Sequence, residues 1–197
     1  MLRYKRLIPM QSLPTNSGRL SKKTLHHCLP NELEAGDCWI ALSLAQLSGL
    51  ILCGRVGKHT DSLAIELVVS TEGKTDCKEW GTDGWSGYER VLPSEIDHYI
   101  SKILTQRLER TNAIVRQQTG RWHRRQNMRD CGGKDSFRNS RKFSKLWQQT
   151  EVTLKLVVSY FNWIWQHSYL GTTAAQRADL ADLPWTWSDI ATYPTLL

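Results

Sequence analysis

The chain has 197 residues, 26 Lys and Arg against 19 Asp and Glu, a formal net charge of +7 and a pI near 9.3. With 40% hydrophobic and 23% charged residues it can bury the core of one domain, which excludes disordered and collagen-like chains. The longest apolar stretch, residues 37–56, is broken by Ser43, Gln46, Ser48 and Gly49 and falls short of the roughly 20 residues of a membrane span, so no membrane partner is expected.

The opening MLRYKRLIPMQ is basic but lacks the apolar centre and cleavage site of a secretory signal. Cys28, Cys38, Cys53, Cys77 and Cys131 are odd in number and scattered. That pattern is unlike a disulfide framework or a zinc knuckle, and a cytoplasmic protein with reduced thiols is expected. Short apolar runs over residues 38–47 and 50–56 flank Ser48-Gly49 and predict a β-hairpin. Residues 60–69 carry Leu63, Ile65, Leu67 and Val68 behind a capping Thr60 or Asp61, which favours a short helix over its competitor, a strand.

A strand around Trp80 closes at Gly81-Thr82-Asp83-Gly84, residues 88–92 suit a helix, and residues 98–100 suit a further short strand. Residues 105–118 place Leu108, Ile114 and Val115 on one side of an amphipathic helix. Residues 127–140 read as a polar loop, and residues 143–166 as a long C-terminal helix. The tail from Gly171 is expected to be mostly irregular, with Trp185 and Trp187 packing on the body. The order predicts an α/β protein with a mixed sheet and flanking helices.

Residues 101–150 hold 13 Lys and Arg against 3 Asp and Glu, more than the whole net charge. Such asymmetry points to a polyanion, nucleic acid first. In its densest part, Arg121-Trp122-His123-Arg124-Arg125, guanidiniums suit phosphates and an indole suits an unpaired base, although a solvated basic loop has the same composition. Chemistry on a phosphodiester uses two divalent cations about 3.5 to 4 Å apart, held by carboxylates. Asp83 sits at a predicted strand end and Glu109 lies 26 positions later on a predicted helix, so the two can converge. Residue type alone reads them more readily as a turn Asp and an exposed helical Glu. His59 and His98 read as packing or hydrogen-bonding residues rather than acid-base groups.

The strings CWIALSLA, SGLILCGRVGKHTD, TEGKTDCKEW, TDGWSGYERVLP, TQRLERTNAIVRQQTGRWHRRQN, LVVSYFNWIWQHS, GTTAAQRA and PWTW resemble the InsB-like transposases of bacterial insertion sequence element one, particularly cyanobacterial-type members. The resemblance runs from about His27 to the C-terminus. It implies a ribonuclease-H-like core, residues 27–170, with an Asp-Asp-Glu triad that binds two Mg²⁺ ions, nicks element ends and joins their 3′-hydroxyls to target DNA. The chain would thus be an Asp-Asp-Glu transposase, a DNA nucleotidyltransferase, working as a homo-oligomer on DNA at the nucleoid. Asp83 in TDGW matches the second acid and Glu109 in QRLERTN the third. Arg107, Arg110, Asn112 and the cluster Arg121, Trp122, His123, Arg124 and Arg125 would contact DNA.

Two departures stand out. The family's first acid lies on a strand ahead of CWIAL, in a segment resembling Asp-Glu-x-Trp-Ser-Phe-Val; here Thr15-Asn16-Ser17-Gly18-Arg19-Leu20-Ser21-Lys22-Lys23 stands instead. Codons for those residues, read from one base earlier, permit Asp-Glu-Gln-Trp-Ser-Phe-Val-Gln-Lys. The expectation is that residues 1–26 are out of frame or disordered without a packed role, that the first, central strand is missing, and that a neighbouring strand edge is left unpaired. Asp37 and Asp61 are the candidate substitutes for the first acid. The second departure is an inserted loop, residues 128–141, and residues 171–197 form an aromatic tail. The readings that follow are a transposase catalytic domain inactive as translated and a non-catalytic DNA-binding product that regulates or inhibits transposition. A metal-dependent nuclease and a structural α/β domain with a basic face are the remaining alternatives.

Overall fold

The computed structural model describes residues 7–9, 13–15, 38–100, 102–119 and 147–193. In chain order these form β1 (Leu7–Pro9), β2 (Leu13–Thr15), β3 (Cys38–Ala45), β4 (Ile51–Gly57), α1 (Asp61–Glu72), β5 (Glu79–Thr82), α2 (Gly87–Val91), β6 (Asp97–Ile100), α3 (Lys102–Thr119), α4 (Trp147–Ser159), α5 (Ala174–Arg177) and α6 (Trp187–Thr192). None of the described helices is long and apolar enough to cross a membrane.

β3 and β4 make the predicted antiparallel hairpin, with Trp39 opposite Gly57 and Leu44 opposite Ile51. Its turn needs Gly49, whose φ of +77° lies in the left-handed region. Along β3 the side chains alternate between two helical layers, as a strand requires. Ile40, Leu42 and Leu44 share a core with Leu108 and Val115 of α3 and Leu154 of α4. Ala41 instead packs with Leu63, Ala64 and Leu67 of α1, and the Ser43 hydroxyl lies 2.8 Å from that of Thr71. Burial also decides helix against strand over residues 60–69. Leu63, Leu67 and Val68 are buried while Ile65 is 49% exposed, a helical stripe rather than alternation.

The sheet corrects one expectation: its central strand is present. β1 and β2 both run antiparallel to β3, with Leu7 opposite Ala45 and Leu13 opposite Ile40, and β1 pairs in parallel with β5 through Leu7 and Trp80. The order across the sheet is therefore β4, β3, then β1 with β2, then β5 and β6, and β3 is paired on both sides. The backbone groups of β3 and β5 demand partners, and residues from the N-terminal segment supply them. They do so poorly. Pro9 and Pro14 stand opposite Ser43 and Trp39, and each lacks the N–H that a central strand donates.

α4 runs into a π-helical turn, Tyr160–Ile164, closed by the Trp165 N–H donating to the Tyr160 carbonyl at 2.8 Å. This is the end of the long helix expected over residues 143–166; residues 143–146 lie outside the described residues. The turn lets Phe161 enter the core beneath α3 and α4 while Trp163 packs toward Trp80 and Ala175. Between them, buried Asn162 donates to the Ile51 carbonyl at 2.8 Å and accepts from the Ile51 N–H at 2.9 Å. Asn162→Ala leaves both groups of Ile51 without that partner, and chemical denaturation should show a loss of about 2–4 kcal/mol.

The tail is more regular than expected. Thr173 with Gln176 and Thr186 with Asp189 form reciprocal capping boxes that start α5 and α6. Its indoles pack on the body as expected, Trp185 stacking on Trp163 at 4.2 Å and Trp187 on Tyr160 at 5.9 Å.

Candidate active site and nucleic-acid interface

Asp83 follows the last residue of β5, beside the central strand. The Trp85 N–H donates to its Oδ1 at 3.3 Å, and the Thr82 hydroxyl donates to its carbonyl at 2.8 Å. The Thr82 oxygen lies 2.5 Å from His98 Nε2, so a neutral His98 carrying its proton on Nε2 satisfies both bonds. Burial lowers the His98 pKa against a smaller opposing effect of Glu89, which favours that neutral form.

Around Asp83 stand aromatic rings whose meeting sequence reasoning did not foresee, among them His59 in the packing role expected of it. The exposed His59 ring lies between the indoles of Trp39 and Trp85, at 4.3 and 4.4 Å, and Trp85 meets buried Tyr88 edge-on at 5.1 Å. Gly87 makes room for this stack, since a Cβ there would lie 2.3 Å from the Trp85 ring. Trp39 lies on β3 and His59 and Trp85 in two separate connections, so no local spacing signals their meeting.

Half-burial pushes the Asp83 carboxyl above its ordinary pKa of 3.8, against the smaller opposing effects of the Trp85 N–H and His59. The folded chain therefore binds a proton more tightly than the unfolded chain, and stability is lost as pH rises through the window above 3.8. Asp83→Asn removes the half-buried charge. Its melting temperature should exceed that of the unmodified chain at neutral pH, with the gain shrinking once the pH falls below 3.8.

Glu109 is exposed on α3, which packs against β1 and β5. The strand-end Asp and the helical Glu thus belong to adjoining elements. Asn112, expected to face DNA, is corrected: it is 1% exposed, because Leu108, Asn112 and Val115 follow helical spacing into the core. Arg107 is half-buried and donates to the Gln46 carbonyl, while Arg110 is exposed. Asp61 sits in the first turn of α1, where Arg90 grips both its oxygens at 2.7 and 2.9 Å and holds its carboxyl below the usual range. Asp37, the cluster Arg121 to Arg125 and the 128–141 insertion lie outside the described residues.

A two-ion site needs more donors than this. Among the described residues no three His, Cys, Asp or Glu gather into a metal-holding group. Asp83 and Glu109 offer two hard oxygen donors, but β1 and β2 read Leu-Ile-Pro and Leu-Pro-Thr and contribute no carboxylate. Among the described residues the donor set does not fit a pair of Mg²⁺ ions.

The match to known families falls on the segment that carries both acids. Residues 33–129 match the family model described as IS1 transposase. Over those residues the chain carries the sequence pattern of the IS1 transposase family. No curated protein matches it in sequence. Among solved structures this transposase chain is similar to the catalytic core domain of HTLV-2 integrase in complex with magnesium, at 13% identity and a TM-score of 0.53, covering 90% of this chain and 98% of that one. The catalytic core domain of BIV integrase is similar at 11% identity and 0.52, covering 88% and 92%. A chain of the simian T-cell lymphotropic virus intasome in complex with the PP2A regulatory subunit B56 gamma reaches 0.59 at 14% identity, covering 93% of this chain and 57% of that one. The fold is therefore the ribonuclease-H-like fold of integrase catalytic cores. IS1-type sequence and integrase-like fold together mark a transposase catalytic domain.

Proposed function

We propose that this transposase catalytic domain binds DNA as a homo-oligomer at the cytoplasmic nucleoid but does not by itself transfer strands, because its central strand carries no acid. The observation that supports this reading is the pairing of β1 with β5. It puts the central strand beside the element that leads into Asp83, with α3, the helix that carries Glu109, packed against both, yet only Leu, Ile, Pro and Thr occupy it. In an Asp-Asp-Glu enzyme, Asp83 and Glu109 stand for the second and third acids. With the donor set one carboxylate short among the described residues, no phosphoryl-transfer step is assigned to this chain. The basic cluster Arg121, Trp122, His123, Arg124 and Arg125, with exposed Arg110, would hold backbone phosphates.

That combination favours a regulatory role, in which the chain occupies element ends or joins oligomers of intact transposase and lowers their activity. The test is a labelled element-end duplex incubated with the full chain, with and without Mg²⁺. Expected are salt-dependent binding, no cleavage or joining, and a drop in joining when the chain is mixed with an intact relative. Robust Mg²⁺-dependent joining by this chain alone would overturn the proposal.

A further inference from the structure

Away from Asp83, two arginines meet over the β3–β4 turn. Arg107 of α3 donates through Nη1 to the Gln46 carbonyl. Arg177 of α5 donates through Nε to the Ser48 carbonyl at 2.7 Å and through Nη1 to the Thr172 carbonyl at 2.7 Å. Their Nη2 atoms converge above Gly49, where a Cβ would lie 2.9 Å from that of Arg107 and 3.4 Å from that of Arg177. Among the described residues neither guanidinium has a carboxylate partner, and neither Nη2 takes a hydrogen bond. Burial lowers the pKa of both, Arg110 adding to the effect at Arg107 and Arg107 to that at Arg177.

Two like charges held half out of water without a counter-ion are costly, and an anion between them relieves both costs. The pair opens onto a cleft of about 1250 Å³, which Arg110 and Trp165 also line. Asp76, Glu79 and Asp97 line the cleft as well, so an anion is confined to the arginine wall. Position adds a constraint. Ala45 and Trp80 both pair with Leu7, which places Gln46 on one side of that level and Asp83 on the other. The separation is about 13 Å along the strands at ~3.3 Å per residue.

We propose that Arg107 and Arg177 form a phosphate site that holds a DNA backbone phosphate away from the one presented to Asp83. The inference rests on the DNA-binding reading above and adds a second anchoring point to it. Gly49 belongs to the site because its missing side chain leaves the space in which the two forks meet.

The test is anisotropy of a labelled duplex with the full chain in EDTA, over a series of salt concentrations. Arg177→Gln, which keeps an amide donor for the turn, should bind about tenfold more weakly, and its salt slope should fall by about 0.9 for the lost phosphate contact. Arg107→Gln, at the other fork of the site, should move in the same direction, and it decides the matter if Arg177→Gln does not fold. Wild-type affinity and slope in folded variants overturn the inference. So does a thermal shift with inorganic phosphate that Arg177→Gln abolishes while duplex binding is unchanged, since the site would then take a free anion. If Arg124→Gln loses binding while Arg177→Gln and Arg107→Gln keep it, this inference falls and the DNA-binding proposal stands. If the unmodified chain binds no duplex, both fall.

Discussion

Replacing Thr15–Lys23 with Asp-Glu-Gln-Trp-Ser-Phe-Val-Gln-Lys is expected to raise Mg²⁺-dependent joining of element ends by about 10³-fold or more. The magnitude follows from the several kcal/mol that bound metal ions contribute to phosphoryl transfer, at about 1.4 kcal/mol per factor of ten. The present segment, Thr-Asn-Ser-Gly-Arg-Leu-Ser-Lys-Lys, carries no acid and starts on the last residue of β2, which like β1 is three residues long and contains a proline. The replacement offers an uninterrupted strand without proline and begins with a carboxylate. A control with Asn in place of that first Asp should keep any gain in folding and lose the gain in joining. Equal activity of the two would show that strand repair, and not the acid, is responsible. If neither joins DNA, the missing acid is not what limits the chain, and Asp37 and Asp61 become the positions to substitute.

Trp80→Ala should cost about 3–5 kcal/mol, a large part of the roughly 5–15 kcal/mol that holds a domain together. Trp80 is fully buried in a cluster with Leu50 and with Ala45, Ala174 and Ala175, whose methyl groups cannot swing in to fill an indole-sized void. Its Nε1 also donates to the Cys77 carbonyl at 2.9 Å, a bond that alanine cannot replace. In a chain of this size the melting temperature should drop by about 10 °C or more, measured by circular dichroism. Ile65→Ala, on the exposed side of α1, should stay within about 0.5 kcal/mol of the unmodified chain and serves as the comparison.

The parts of this fold legible in the sequence are those fixed by local pattern. Apolar runs around Gly49 announce the hairpin, and Leu108 with Val115 announce α3, because one turn or one helical face decides each. Asp83 was legible as a strand-end acid because Gly81-Thr82-Asp83-Gly84 marks the strand's close. The two short tail helices were also written locally, as Thr173 with Gln176 and Thr186 with Asp189, and were overlooked for want of a long apolar stripe behind them.

Long-range pairing is different. Pro9 and Pro14 argue against a central strand by every local criterion, yet the edges of β3 and β5 need partners and the N-terminal segment provides them. The inward turn of Asn112 follows from helix phase, whereas family likeness alone had put it on the outer face. The meeting of Trp39, His59 and Trp85, and that of Arg107 with Arg177, joins residues whose separation in sequence carries no signal.

The bond between Asn162 and Ile51 has a meaning beyond its energy. Among the described residues β4 is the outermost strand on its side of the sheet, and an outer strand invites a strand from another molecule to continue the ladder. At Ile51 the outward N–H and C=O are already matched by an amide that imitates one residue of a neighbouring strand. The aromatic run near the C-terminus thus guards the sheet against intermolecular growth. A chain cut short before Asn162 would present that docking position open to its neighbours, and its soluble yield would fall.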